Sequence, residues 1–392
     1  NSYQSWHRDT YYKGNKIFHG CLPSCYKAIF YPPINEIKEP CLNIIENSQL
    51  SFKNEGKHFE DYNINEIIDG IAINRLWVSP SVSKNKIIRL FSMLSFSFSI
   101  AWFMLWNKIP RTVIVNSPPL LVAFTSLFFL RSKKHRLILN VSDLWPKAGL
   151  ELGAIKQGFS YNMLQKIERF NYKKANLILG QSQEILTHVK TIVSNKETLL
   201  LRNYPDFEPP KIESKNVGNP TKIKLVYAGL LGVAQGVLKL CENLDYSNIE
   251  FHIYGAGAEE FEIKNFIRNN PNLPITFHGS VTREKLHTEL IKYDVTIIPL
   301  LNRIYGSVPS KIFEYARLGL PMIYFGGGEG ETIVENHKLG WVAEAGNYEV
   351  LNQTISKLKN SDFNSDFKNE IQKTALQCFV STEQHKILNS LI

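Results

Sequence analysis

Acidic residues are missing from one long stretch of this 392-residue chain: none occurs from Gly70 to Ser142. Over that stretch Arg75, Lys84, Lys86, Arg89, Lys108, Arg111, Arg131, Lys133, Lys134 and Arg136 supply ten positive charges, more than the net charge of +9. Such a block points to an anionic partner, either nucleic acid or a membrane face. Cysteine is also scarce. The five (Cys21, Cys25, Cys41, Cys241, Cys378) are too scattered for a disulfide framework, and Cys21 and Cys25 lack a second pair of metal-ligand spacing. A zinc site is therefore disfavoured, and reduced thiols in a cytoplasmic protein are expected. The chain opens at Asn1 without a methionine, as a processed or trimmed product does, and residues 1–20 hold no apolar core of a signal peptide. The longest uncharged run, Leu90 to Asn107, only approaches the lower limit for a spanning helix, and it carries Ser92, Ser95 and Ser99 at helical spacing. A spanning helix has no need of that polar stripe. An amphipathic helix is expected instead, packed on a sheet or lying in a membrane interface with Trp102 and Trp106 as anchors. Nucleic acid fits least, because the basic block is interleaved with long apolar runs rather than with isolated stacking aromatics.

What is present is an alternation of short apolar strands and helical segments, in a chain long enough for two cores. Residues 1–65 are the least legible; Lys27-Ala-Ile-Phe-Tyr31 before Pro32 and Pro33 suggests a first parallel strand. Ile71 to Trp77, Thr112 to Asn116, Leu137 to Val141 and Leu177 to Gly180 read as further strands, with a helix from Tyr161 to Lys174. Residues 203–221, rich in Pro, Asn, Lys and Glu, read as a linker. A second series follows: Lys224 to Ala228, Phe251 to Tyr254, Ile275 to Phe277, Val295 to Leu300 and Met322 to Phe325. Each of the first three runs into glycines, so the turns gather on one sheet edge.

Glycines after a strand let backbone N–H groups approach a phosphate, with the next helix adding partial positive charge. Gly229, Gly232, Gly255 and Gly257 fit that use. No Gly-Lys-Ser/Thr follows, so neither turn is a P-loop, and Gly255-Ala-Gly257 lacks the third glycine of a dinucleotide fingerprint. Gly306-Ser-Val-Pro-Ser-Lys-Ile-Phe-Glu-Tyr-Ala-Arg-Leu-Gly-Leu-Pro321 then forms a turn and a short helix that stops at Gly319. Lys311 and Glu314 share one face of it. They make either a surface ion pair or a ligand site, with Lys311 for an anion and Glu314 for a pair of hydroxyls.

In order, Tyr227-Ala-Gly-Leu-Leu-Gly-Val-Ala-Gln-Gly236, Tyr254-Gly-Ala-Gly257, Phe277-His-Gly-Ser-Val281, Asp294-Val-Thr-Ile-Ile-Pro299 and Pro309-Ser-Lys-Ile-Phe-Glu-Tyr315 resemble glycosyltransferase family 4. Asp143-Leu-Trp-Pro146, and Glu168 ahead of Lys174-Ala-Asn-Leu-Ile178, resemble its bacterial polysaccharide branch, nearest to the fucosamine-type transferases of O-antigen and capsule assembly. The resemblance implies an α/β fold of GT-B architecture, two Rossmann-like domains facing across a cleft. It implies an acceptor-binding, membrane-facing domain over 1–202, a linker over 203–221, a donor domain over 222–375 and a C-terminal helix, 376–392, crossing back. It implies retention of configuration, transfer of a HexNAc or deoxy-HexNAc from a UDP donor to a polyprenyl-diphosphate-linked acceptor, and no metal or other cofactor. Asp143, Lys311 and Glu314 become the catalytic candidates. Gly229, Gly232, Gln235, Gly255, Gly257, Gly279, Val281, Thr282, Arg303, Gly306 and Ser310 join Lys311 and Glu314 as donor contacts, with Glu314 on the ribose. Lys84, Lys86, Arg89, Trp102, Trp106, Arg131, Lys133, Lys134, Arg136 and Trp145 face the acceptor or an anionic membrane, which puts the protein peripherally on the inner face of the cell membrane.

Three positions depart from the family's pattern. Gly306 stands where a second acid is frequent, Val233 and Gln235 where an Arg or Lys often follows the first glycine turn, and Ser142 where a His often precedes Asp143. Glu168 reads as a structural helix contact and His278 as a packed turn residue. Gly326-Gly-Gly-Glu-Gly-Glu331 reads equally as a donor-sugar loop or a plain connection. A GT-B nucleotide-sugar epimerase and a non-catalytic membrane scaffold are the competing readings. The first leaves the basic block without a use; the second would explain the three departures.

Overall fold

A computed structural model describes 7–12, 15–20, 27–31, 43–47, 63–68, 71–79 and 86–391 apart from 133, 152 and 213–221. The chain forms two units, one of His7–Arg202 with Glu383–Ile392 and one of Asn203–Thr382.

In the first unit β1 (His7–Tyr12) and β2 (Asn15–Gly20) pair antiparallel. Eight strands make its main sheet: β3 (Lys27–Tyr31), β4 (Asn43–Asn47), β5 (Asn63–Ile68), β6 (Ile71–Leu76), β7 (Thr112–Ser117), β8 (Arg136–Val141), β9 (Leu177–Gly180) and β10 (Glu197–Leu200), in the order β10-β9-β8-β7-β3-β4-β6-β5. From β7 to β10 all pairs are parallel. The expectation of a first parallel strand at Lys27–Tyr31 is corrected: β3 is a strand, but it runs antiparallel to both β4 and β7. Parallel pairing needs a crossover between neighbours, and β3 sits between two strands that run the other way.

The helices are α1 (Lys86–Trp106), α2 (Leu120–Phe129), α3 (Lys147–Glu151), α4 (Phe159–Lys174) and α5 (Gln183–Ile192). Successive right-handed crossovers from β7 to β10 in one direction put α2, α4 and α5 on one face of the sheet. There α1 packs on α2, α2 on α4, and α4 on α5. Val113, Val115, Ile138 and Leu139 of this sheet are buried. Glu168 on α4 is buried, with Tyr172 Oη donating to it at 3.0 Å and His188 Nε2 at 2.9 Å, so it is a structural contact.

The second unit holds β11 (Ile223–Leu230), β12 (Ile249–Ala256), β13 (Ile275–Gly279), β14 (Val295–Pro299), β15 (Met322–Phe325) and β16 (Gly340–Val342) in one parallel sheet ordered β13-β12-β11-β14-β15-β16. Its helices are α6 (Val237–Asn243), α7 (Glu260–Asn269), α8 (Arg283–Leu290), α9 (Lys311–Arg317), α10 (Glu329–Asn336), α11 (Tyr348–Ser356) and α12 (Ser365–Cys378); α13 (Ser381–Leu391) closes the chain. Both faces of this sheet are covered, which is why its strands read as continuous apolar runs. Along β11, Leu225 and Tyr227 enter one core, and Val226 and Ala228 enter the other. Residues 203–212 lie on this unit. Tyr204 packs on Phe313, and Gln372 Nε2 donates to Pro210 O at 2.9 Å.

Candidate functional site

The second sheet grows from β11 outward to β13 on one side and from β14 to β16 on the other. The crevice where that direction reverses, at the carboxyl ends of β11 and β14, is where open α/β sheets bind ligands. Both ends are built for close approach. Tyr227 Oη donates to Leu230 O at 2.6 Å and folds the strand end over. A Cβ at Gly255 would meet Gly229 O at 1.8 Å, so the carboxyl ends of β11 and β12, where these two glycines pair, leave no room for a side chain between them. Leu301 N–H donates to Ala234 O at 3.0 Å, joining the turn after β14 to the one after β11.

α9 delivers the charge. Pro309 and Ser310 precede it, and Ser310 O accepts from Glu314 N–H at 3.2 Å. Gly319, at φ 69°, ends it as expected. From its first turn Lys311 reaches across Gly229, donates from Nζ to Ala228 O, and sits 4.7 Å above the Tyr227 ring. A Cβ at Gly229 would come within 1.7 Å of Nζ, so glycine is what lets the ammonium lie there. Tyr315 Oη donates to the same carbonyl at 2.9 Å. Burial pushes the Tyr227 phenol well above its ordinary value, so it stays neutral beside the ammonium.

Glu314 takes a different position from its neighbour. Its Oε1 lies 2.8 Å from His287 Nε2 and 3.4 Å from Arg283 Nε, both on α8. Phe207 packs on His287 at 4.3 Å, and the Arg283 and Arg317 guanidiniums stand over the Phe207 ring. Lys311 thus points to the glycine turn and Glu314 to α8. Sequence reasoning missed Arg283, His287 and Phe207, although Arg283 directly follows Thr282, whose Oγ1 caps α8 by accepting from Lys285 N–H at 3.4 Å.

The remaining donor candidates fall around the same edge. Gln235 Oε1 is buried against Gly232 and receives no hydrogen bond from a described residue. Arg303 is exposed with its side chain beside Gly327 and Gly328, in the loop that was balanced between sugar contact and connection. Gly257 abuts Leu231 O, and Gly279 ends β13. Val281 packs against the core; His278, expected as a packed turn residue, is instead an exposed residue of β13 that stacks on Tyr254 at 4.3 Å. Gly306 is buried at φ 84°, a left-handed conformation that glycine adopts readily and an acid does not. The missing acid is thus a matter of backbone as well as of side chain. Val233 is 67% exposed on the turn.

In the first unit Asp143 and Trp145 follow β8 at the carboxyl edge. Burial raises the Asp143 carboxyl above its ordinary value. Trp145 lies on Gly149, where a Cβ would approach its ring to 2.6 Å, and Ser142 Oγ accepts from Gln181 Nε2 at 3.1 Å. Trp145 and the basic residues flank β8 at its two ends. Arg131 and Lys134 precede β8 and Arg136 opens it, at the amino edge of the sheet, so the length of the strand separates them from Trp145. Trp102 and Trp106 are exposed on α1. Lys84 and Lys133 lie outside the described residues, as do the side chains of Lys86 and Arg89 and all of Cys21, Cys25 and Cys41. Among the described residues no three His, Cys, Asp or Glu side chains are grouped to hold a metal, and no helix is long and apolar enough to cross a membrane.

Residues 223–361 match the family described as glycosyl transferases group 1. Comparison with curated proteins gives no match. Among solved structures, a sucrose-phosphate synthase from Thermosynechococcus elongatus is similar at 13% identity and a TM-score of 0.66, over 85% of each chain. Anabaena HepE in complex with UDP aligns at 12% identity and 0.60, over 82% of this chain and 86% of that one. The pneumococcal O-GlcNAc transferase GtfA in complex with UDP and GlcNAc aligns at 12% and 0.54, over 84% and 69%. At these identities the likeness is one of fold: two Rossmann-like α/β units of the GT-B class, with the family match lying in the second.

Proposed function

We propose that this protein is a retaining glycosyltransferase of the family 4 type, using a UDP-sugar as donor. The observation that carries the reading is the Lys311 ammonium seated at the switch point of the second sheet, on the carbonyl of Ala228 and over Gly229. As the sugar leaves, negative charge builds on the departing diphosphate, and cations or oriented N–H groups fixed beforehand stabilise it. Lys311, Arg303 and the amides of the turns at Gly229, Gly255 and Gly327 are those groups, and no metal is required. Glu314, oriented by Arg283 and His287, accepts hydrogen bonds from the ribose hydroxyls. Asp143, at the carboxyl edge of the first sheet, acts on the acceptor side. Support comes from the group 1 match over residues 223–361 and from the likeness to structures solved with UDP.

The sugar is a HexNAc or deoxy-HexNAc, and the acceptor is a polyprenyl-diphosphate-linked saccharide of O-antigen or capsule assembly. That places the enzyme peripherally on the inner face of the membrane, with an anionic lipid surface as partner. The test is incubation with a panel of UDP-sugars and lipid-linked acceptors, following transfer by mass spectrometry. Transfer that is lost in Lys311→Met supports the reading. Epimerised free nucleotide-sugar without acceptor, or vesicle binding without any turnover, would replace it.

A further inference from the structure

The serines of α1 point inward. Ser95 Oγ accepts from Ser79 N–H at 2.9 Å, and Ser99 Oγ donates to Trp77 O at 2.8 Å. Ser92 and Ser95 are buried, and Phe96, Ile100 and Met104 complete the packed side. The polar stripe is therefore used inside the fold. What faces outward is apolar. Phe91, Leu94, Phe98, Trp102, Leu105 and Trp106 are 48% to 73% exposed. At 100° per residue they fall in an arc of about 120°, along roughly 22 Å of helix. Phe98 stacks on Trp102 at 6.4 Å, and Trp102 meets Trp106 at 5.6 Å.

The stripe ends in a basic cluster. Lys108 and Arg111 follow α1, while Phe128 and Phe129 at the end of α2 are also exposed and lead to Arg131 and Lys134. The two segments are joined, since Arg136 N–H donates to Arg111 O at 2.6 Å and His135 Nδ1 lies 3.1 Å from Pro110 O. Arg131 stands 4.0 Å over the Phe128 ring. No acid between Gly70 and Ser142 offsets these charges. A second copy laid on this face would bring a further acid-free basic surface against it, so an anionic bilayer is the better complement.

We propose that α1 and the end of α2 form a monotopic insertion surface. α1 lies in the plane of an anionic bilayer with its aromatic stripe among the upper acyl chains, and Lys108, Arg111, Arg131 and Lys134 meet the lipid phosphates. This rests on, and gives residues to, the membrane partner named above. Because α1 runs from the carboxyl edge, after β6, to the amino edge, before β7, an in-plane α1 keeps the Asp143 edge beside the lipid surface.

The test uses the full chain with vesicles of phosphatidylcholine alone or mixed with phosphatidylglycerol, read by sedimentation and by quenching of tryptophan fluorescence by brominated lipid. The wild type binds the anionic vesicles and is quenched. Phe98→Ser with Trp102→Ser lowers that affinity about a hundredfold, tenfold for each large apolar group withdrawn from the bilayer. Leu105→Ser, lowering it about tenfold, is the single variant to use if the pair disturbs folding. Arg131→Glu with Lys134→Glu lowers binding to anionic vesicles and flattens its salt dependence. Binding unchanged by the apolar variants overturns insertion. So does a wild type that ignores both vesicles and dimerises through this face, shown by ultracentrifugation and lost in the same variants. UDP affinity, measured in parallel, keeps the two proposals apart: vesicle binding without UDP binding retains this one and removes the transferase reading.

Discussion

Gly229→Ala is the substitution that probes the site most sharply: its Cβ meets one flexible neighbour, and at φ 158° the alanine adds backbone strain that falls on stability. The new Cβ would stand 1.7 Å from Lys311 Nζ and 2.8 Å from Cε, while Tyr227 Oη is 3.2 Å away. The obstacle is the far end of a flexible side chain rather than backbone, so the chain accommodates the methyl by expelling the ammonium by about 2 Å, beyond hydrogen-bond reach of Ala228 O. A hydrogen bond from a charged donor contributes roughly 1.5–3 kcal/mol, and water at this half-buried position replaces part of it. With about 1–3 kcal/mol of backbone strain added to about 1 kcal/mol for the hydrogen bond, the expected loss of stability is about 2–4 kcal/mol, a fall in Tm of about 4–16 °C for a unit of this size. UDP affinity falls by at least about tenfold, or roughly 1.4 kcal/mol, while uridine, with no phosphate, is bound as before. Differential scanning fluorimetry and calorimetric titration of the single variants and of Gly229→Ala/Lys311→Met give the coupling. If the glycine acts through Lys311, the double variant loses no more UDP affinity than Lys311→Met alone. Equal losses for UDP and uridine, or additive losses in the double variant, refute the reasoning.

Gly255→Ala sets its Cβ 1.8 Å from the backbone oxygen of Gly229, which cannot swing aside, so it destabilises the second unit by at least about 3 kcal/mol in urea denaturation. Phe207→Ala removes the ring on which His287 and two guanidiniums rest; for a half-buried aromatic about 2 kcal/mol is expected, with UDP affinity lowered through the loosened Glu314 cluster. Burial raises the Asp143 carboxyl above its ordinary value of 3.8, so its ionised form disfavours the fold. The stability that it contributes is complete below 3.8 and is lost as pH rises through the raised value, so Asp143→Asn gains on the wild type over that window when unfolding is followed against pH.

Much of the second unit was legible because each of its strands is an apolar run ending in a residue that only a turn requires. The strand bounds came within two residues, and Gly319 closed α9 where expected. The direction of β3 was not legible, since an apolar pentad reads alike in either orientation until its neighbours are known. The serines of α1 showed a stripe but not which way it faced; the backbone of residues 77–79, 16 to 22 positions away, decided that. Spacing put Lys311 and Glu314 on one helical face, yet side-chain length sent them to different partners. Lys311 reaches back to β11 and Glu314 sideways to α8, and those partners lie 83 and 27 residues distant. Gly306 looked like a lost acid; its φ of 84° shows a turn that the backbone needs.

The central claim is that the second unit holds a nucleoside diphosphate at the switch point between β11 and β14, with Lys311 on the phosphates and Glu314 on the ribose. Calorimetric titration of UDP, UMP and 2′-deoxy-UDP into wild type, Lys311→Met and Glu314→Gln tests it directly. The account predicts that Lys311→Met loses UDP affinity more than UMP affinity, and that Glu314→Gln no longer separates UDP from its 2′-deoxy form. A wild type that binds none of the three, or variants that bind all three as the wild type does, would contradict it.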